Sequence, residues 1–174
     1  MTAGLAGLLR LDGPWAEAIT RHQAAIGAAR HLGDRLGQAG ALLYLGTVRR
    51  ARGEYPVAAQ ALEQALAIYR DLGNQGGEAE ALNERGTLYR VSGDLAPAEG
   101  CHRQALDLAR QISSSWDEAH ALAGLGRCAL AAGHATQAQA LLRQALEIFQ
   151  RTGAAEASDV SRELAALTEA GPPA

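Results

Sequence analysis

The chain has no lysine, two cysteines, one phenylalanine and one methionine in 174 residues. Without lysine there is no Walker-type phosphate loop, whose lysine must reach the outer phosphates, and no GxGxxG run follows a strand-like segment. Cys101 and Cys128 stand far apart and belong to no CxxC pair, so no disulfide framework is expected, and both read as buried, reduced thiols. Aromatics are only 4% of the residues, and the apolar content is mostly Ala and Leu, which leaves an all-β fold too little to build with. No apolar run reaches the ~20 residues needed to cross a bilayer. The opening MTAGLAGLLRLDG lacks the basic start and long apolar stretch of a signal peptide, so a cytoplasmic location without membrane partners is expected. The 16 arginines are interspersed with 19 acidic residues, giving a net charge of -3 and no concentrated cationic face, which argues against a direct nucleic-acid partner.

What the chain does contain is self-similarity at a period of 40. Gly13, Gly53, Gly93 and Gly133 share a column, as do Ala18, Ala58, Ala98 and Ala138. Ala25, Ala65, Ala105 and Ala145 form a third, each followed by Ile26, Leu66, Leu106 or Leu146. A fixed period of this length marks a stack of supersecondary units, none of which can bury its apolar face alone.

Each period carries its own start and stop signals. Asp34, Asn74 and Ser114 precede apolar runs, where a side-chain oxygen accepts from the unpaired amides of a first helical turn. Gly33, Gly73 and Gly153 sit where a left-handed residue ends the preceding helix. A first helix, A, carries Leu42, Leu45 and Gly46, matched by Leu82, Arg85 and Gly86 and by Leu122, Leu125 and Gly126. It ends at the Gly53 column. Pro56 and Pro97 then fall in the first turn of helix B, where a missing amide costs little. The B-helix stripe in the second copy is Ala58, Leu62, Ala65, Leu66 and Ile68.

Leu45-Gly46, Gly53, Tyr55, Ala58, Ala65 and Leu66, with their counterparts, resemble the tetratricopeptide repeat, in a version longer than the common 34 residues. The resemblance implies an all-α, right-handed superhelical solenoid of antiparallel helix pairs with a C-terminal capping helix. The expected organisation is one domain over 1–170: a partial repeat 1–33, repeats 34–73, 74–113 and 114–153, and a capping helix 154–170. Residues 171–174 are then a tail. The stretch from Leu72 to Asn83 is similar to repeat regions of large bacterial transcription regulators.

No catalytic constellation emerges. His22, His31, His102, His120 and His134 form no HExxH and no zinc spacing with cysteine, so no metal is expected. His22 and His102 alternate with Leu62 and Leu142 in one column and read as packed side chains. Ser113-Ser114-Ser115 belongs to a loop and makes no GxSxG elbow. The chain is therefore expected to be no enzyme and to need no cofactor.

The remaining candidate surface is the concave face that A helices line in such a stack. Its candidate groove residues are Tyr44, Thr47, Arg50, Glu80, Asn83, Glu84, Thr87, Arg90, His120 and Arg127. Arg50, Arg90 and Arg127 are expected to line one side and to suit an acidic peptide. The function expected is a non-catalytic scaffold that binds a protein or peptide. The alternatives are an effector-sensing module of a larger bacterial transcription regulator, or self-association as a homodimer through the N-terminal stub, where Leu5, Leu8, Leu9 and Leu11 lack a preceding helix.

The alanine columns generate a direct test. Ala98→Leu places three extra carbons where two helices approach through a methyl group, and it should lower stability by ~1–3 kcal/mol through overpacking. An unchanged thermal melting curve would show that this column is not the helix contact.

Overall fold

The computed structural model describes residues 14–169, which form eight helices and, among the described residues, no strand. These are α1 (Pro14–Leu32), α2 (Arg35–Ala51), α3 (Tyr55–Asp71), α4 (Gln75–Ser92), α5 (Leu95–Gln111), α6 (Ser115–Ala131), α7 (Ala135–Thr152) and α8 (Glu156–Glu169). Successive helices are joined by only two or three residues. The leucine stub, Gly13 and the tail from Gly171 lie outside the described residues.

The chain divides into two compact units, the first ending at Asn74 and the second beginning at Gln75. In a stack of repeats each element touches only its near neighbours, so such a chain has no single central core. In the first unit α2 packs against both α1 and α3. In the second, α4 to α8 pack in sequence, and α4 also touches α6, so these two A helices lie side by side while α5 backs them.

The short connections follow from one backbone device. Gly33, Gly53, Gly73, Gly93, Gly133 and Gly153 all have φ between 63° and 93°, the left-handed region. The next residue's amide then reaches back to a carbonyl five residues earlier, as in Glu54 to Arg49 (3.0 Å), His134 to Ala129 (2.8 Å) and Ala154 to Phe149 (2.9 Å). The column has one exception. Ser113 adopts φ 57° where the other copies have glycine, and the amide of Ser114 still bonds to the Ala109 carbonyl at 2.8 Å.

Two of the expected caps, Asp34 and Ser114, make side-chain hydrogen bonds to their helix starts. Asp34 Oδ1 accepts from the Gly37 amide at 2.8 Å, and Ser114 Oγ from the Asp117 amide at 3.3 Å. Glu54, Asp94 and His134, which precede the B helices, make no such side-chain cap.

Between the layers, the A-helix glycines meet the large B-helix residue sixteen positions later. A Cβ on Gly46 would stand 2.6 Å from Leu62 Cγ, and one on Gly126 would stand 2.8 Å from Leu142 Cγ. On Gly86 it would lie 2.6 Å from His102 Nε2. Leu62 and Leu142 are fully buried, and Ala58, Ala65, Ala98, Ala105, Ala138 and Ala145 have no exposed surface, so the alanine columns are the close contacts that their spacing implied. The α1 copy differs, with Ala25 exposed and Ala18 half-buried.

Ser113 is the position where the left-handed turn is most costly, because its Cβ crowds the backbone in a way glycine's hydrogen does not. Ser113→Gly should therefore raise stability by ~0.5–1 kcal/mol, after allowance for the greater freedom of glycine in the unfolded chain. Urea unfolding with an unchanged slope and a higher midpoint is the expected result.

Candidate partner-binding faces

In the first unit the candidate residues lie on α2. Tyr44 is 54% exposed and stacks on the His22 ring of α1, with centroids 5.8 Å apart. Thr47 is half-buried and its hydroxyl donates to the Leu43 carbonyl at 3.2 Å; Arg50, one turn on, is also half-buried. Tyr44 is thus the side chain in this group most open to a partner.

In the second unit Glu80, Asn83, Glu84, Thr87 and Arg90 project from α4, and His120 and Arg127 from α6. Asn83 is committed to the interior, at 7% exposure. Its Nδ2 donates to the Asp117 carbonyl at 3.3 Å, which leaves Oδ1 to accept from His102 Nδ1 at 3.2 Å. His102 is 1% exposed and is wedged between the bare backbones of Gly86 on α4 and Gly124 on α6. With Nδ1 donating, Nε2 carries the lone pair, and among the described residues it finds no hydrogen-bond partner. Burial, with smaller contributions from Arg90 and Arg127, pushes the His102 pKa down from 6.5 to about 4, so the ring is neutral.

Arg127 is also engaged. Its Nε and Nη2 make a two-pronged contact with the Glu163 carboxylate of α8 at 2.8 to 3.2 Å, so this guanidinium anchors the C-terminal helix. Arg90, Arg127, Leu130, Ala131 and Glu163 border a shallow depression there.

A separate cleft of about 140 Å³ opens between α4 and α6, lined by Glu80, Asn83, Glu84, Trp116, Asp117 and His120. Trp116 is 48% exposed and packs on His120 at 4.5 Å between centroids. His120 in turn meets Phe149 edge-on at 5.2 Å. Burial holds the His120 pKa below its ordinary value despite the nearby Glu156, Glu84 and Asp117 carboxylates. Glu80 moves the other way: burial first, then Asp117 and Glu84, hold its carboxyl above the usual range.

Sequence reasoning brought Glu80, Glu84 and His120 to one place and missed Trp116, Asp117 and Glu163. Trp116 lies one turn before His120, so the A-helix period, carried one step earlier, would have found it. Glu163 lies in the segment that breaks the repeat, where no column points to it. Among the described residues no three His, Cys, Asp or Glu side chains are placed to hold a metal ion, and no helix is long and apolar enough to cross a membrane.

Paired helices, repeated turns and the alanine and glycine contacts between layers define an all-α solenoid built of helix pairs. The chain belongs to the tetratricopeptide repeat family, whose model matches residues 1–71 and 77–151. No curated protein matches the chain. Among solved structures, BtubC (BKLC) from P. vanneervenii is similar at 18% identity and a TM-score of 0.76, over 91% of this chain and 67% of that one. A Rap protein complexed with Competence and Sporulation Factor is similar at 19% identity and a TM-score of 0.80; the match covers 86% of this chain and 42% of the Rap chain. Kinesin-light-chain TPR-like repeats of Podosopora anserina give 20% identity and a TM-score of 0.66, with 96% and 83% covered. At these identities the likeness is one of fold.

His102 makes stability depend on pH. The unfolded chain takes up a proton at this histidine near pH 6.5, whereas the folded chain does so only near pH 4. Stability is therefore greatest above pH 6.5 and is lost progressively down to pH 4, by about 3 kcal/mol for this group. His102→Leu, the residue type found in the same column at Leu62 and Leu142, should flatten that part of the profile. Urea midpoints from pH 7 to 4 measure it, and an equal slope in the variant would place the titration elsewhere.

Proposed function

We propose that the chain is a non-catalytic scaffold that binds a protein or peptide through the exposed faces of its A helices. The observation that carries this reading is a contrast within the repeats. In α3, α5 and α7 the B-helix stripes are buried and nearly uniform, whereas the A helices α2 and α6 hold large aromatics half-exposed at Tyr44 and Trp116, among side chains that vary from copy to copy. Aromatic side chains of this kind give large contact area for little ordering entropy, which is why they concentrate at interfaces. The Rap protein of similar fold is complexed with a factor, which supports a binding role for this fold. Arg127 holds Glu163, which takes this guanidinium out of the side chains offered to acidic groups of such a partner. The sensing role within a larger bacterial regulator and the 40-residue subtype are not favoured by any specific contact among the described residues, and the stub expected to self-associate lies outside them.

Capture from a native extract on the immobilised chain, followed by the same capture on Tyr44→Ala/Trp116→Ala, tests the proposal. Both side chains are largely outside the core, so the melting temperature should be retained while capture of the specific partner falls at least tenfold. A partner bound equally well by the variant would place recognition on another face and overturn the reading.

A further inference from the structure

The cleft between α4 and α6 contains an electrostatic imbalance. Asp117 is more than nine-tenths buried, and its Oδ2 accepts the Ser114 hydroxyl at 2.6 Å. No cation among the described residues pairs with it. Glu80 has neither a hydrogen-bond nor an ion-pair partner among the described residues, and Glu84 stands beside it. The one basic group lining the cleft is His120, whose pKa burial holds below its ordinary value, and no arginine lines it.

Like charges gathered in a partly desolvated cleft repel one another, and each gains when a cation enters. The remaining wall narrows the choice of cation. The Trp116 indole is held by His120, which is held by Phe149, so a half-exposed aromatic face stands ready beside the carboxylates. An aromatic face with adjacent carboxylates suits an organic cation, through cation–π attraction and charge-assisted hydrogen bonds. A bare metal ion is a poorer fit, since no three ligating groups converge. The volume of about 140 Å³ suits the head of one side chain.

We propose that the cleft formed by Glu80, Trp116, Asp117 and His120 is a subsite for one basic side chain, arginine or lysine, of the bound polypeptide. This rests on the scaffold reading and adds the partner's chemistry at one position. The guanidinium or ammonium group lies against the indole and donates to the Glu80 carboxylate, with the buried Asp117 charge close by in the same lining.

The test uses the full chain with Trp15→Phe, so that Trp116 is the single indole. Its fluorescence and its indole N–H resonance are followed during titration with acetyl-Gly-Arg-Gly-amide, with the uncharged citrulline isostere, with acetyl-Gly-Glu-Gly-amide and with putrescine. The expected result is a saturable change with the arginine peptide. Binding should be at least tenfold weaker for citrulline and absent for the glutamate peptide. Glu80→Gln, which disturbs no existing hydrogen bond, should weaken arginine binding about tenfold and raise its tolerance to salt.

Equal binding of the citrulline peptide, or an unaffected Glu80→Gln variant, overturns the cation subsite. Putrescine binding as tightly as the peptide assigns the cleft to a free amine and overturns its peptide role. The two readings fail separately. If the arginine peptide has no effect while Tyr44→Ala/Trp116→Ala still loses its captured partner, the subsite is wrong and the scaffold stands. If the peptide binds but capture is unaffected, the subsite stands without the scaffold.

Discussion

The contact on which the layers depend is a large B-helix side chain pressed against bare A-helix backbone. Leu62 lies on Gly46, His102 on Gly86 and Leu142 on Gly126, each so close that a single added carbon on the glycine would collide. Because the glycine offers no side chain, the B-helix side chain rests on the A-helix backbone itself. The alanine columns at 58, 98, 138 and at 65, 105, 145 complete the fit with no exposed surface. Dispersion attraction at such contacts is small per atom and large in sum, which lets a chain so poor in aromatics hold its layers together.

The third copy shows what happens when this contact is made by a polar ring. His102 replaces leucine, and the facing residue on α6 is Gly124, where the preceding copies have Tyr44 and Glu84. The ring fills the space left by the missing side chain and touches two backbones. Its Nδ1 must then be satisfied in the interior, which commits Asn83, and Asn83 in turn grips the Asp117 carbonyl at the start of α6. One substitution in a repeat column thus recruits a buried polar chain between α4 and α6, at the floor of the acidic cleft. That link joins the packing to the surface, since the same first turn of α6 presents Trp116.

The ends of the second unit obey a different logic. α8 lies outside the repeat pattern, yet Val160 and Leu164 are buried and Glu163 clamps Arg127. A partly exposed ion pair contributes modestly to stability, so the apolar contacts hold the helix and the carboxylate sets its position. The same carboxylate removes Arg127 from the residues available to a partner.

The sequence alone determined the helices, their order, their turns and the columns between layers. Those features rest on local chemistry and on a period that repeats: cap residues, left-handed glycines, small residues at fixed offsets. Ser113 was the local exception, because a serine gives no sign that it must adopt a left-handed turn until its neighbours impose one. What the tertiary structure decided was which polar side chains face outward. Asn83 and Glu80 sit three residues apart on one helix, yet Asn83 is drawn inward by His102 while Glu80 finds no partner among the described residues. Arg127 was legible as a groove residue until α8 brought a carboxylate to it from 36 positions away. Burial of a polar group depends on whether a partner arrives from another element, and no period in the chain encodes that arrival.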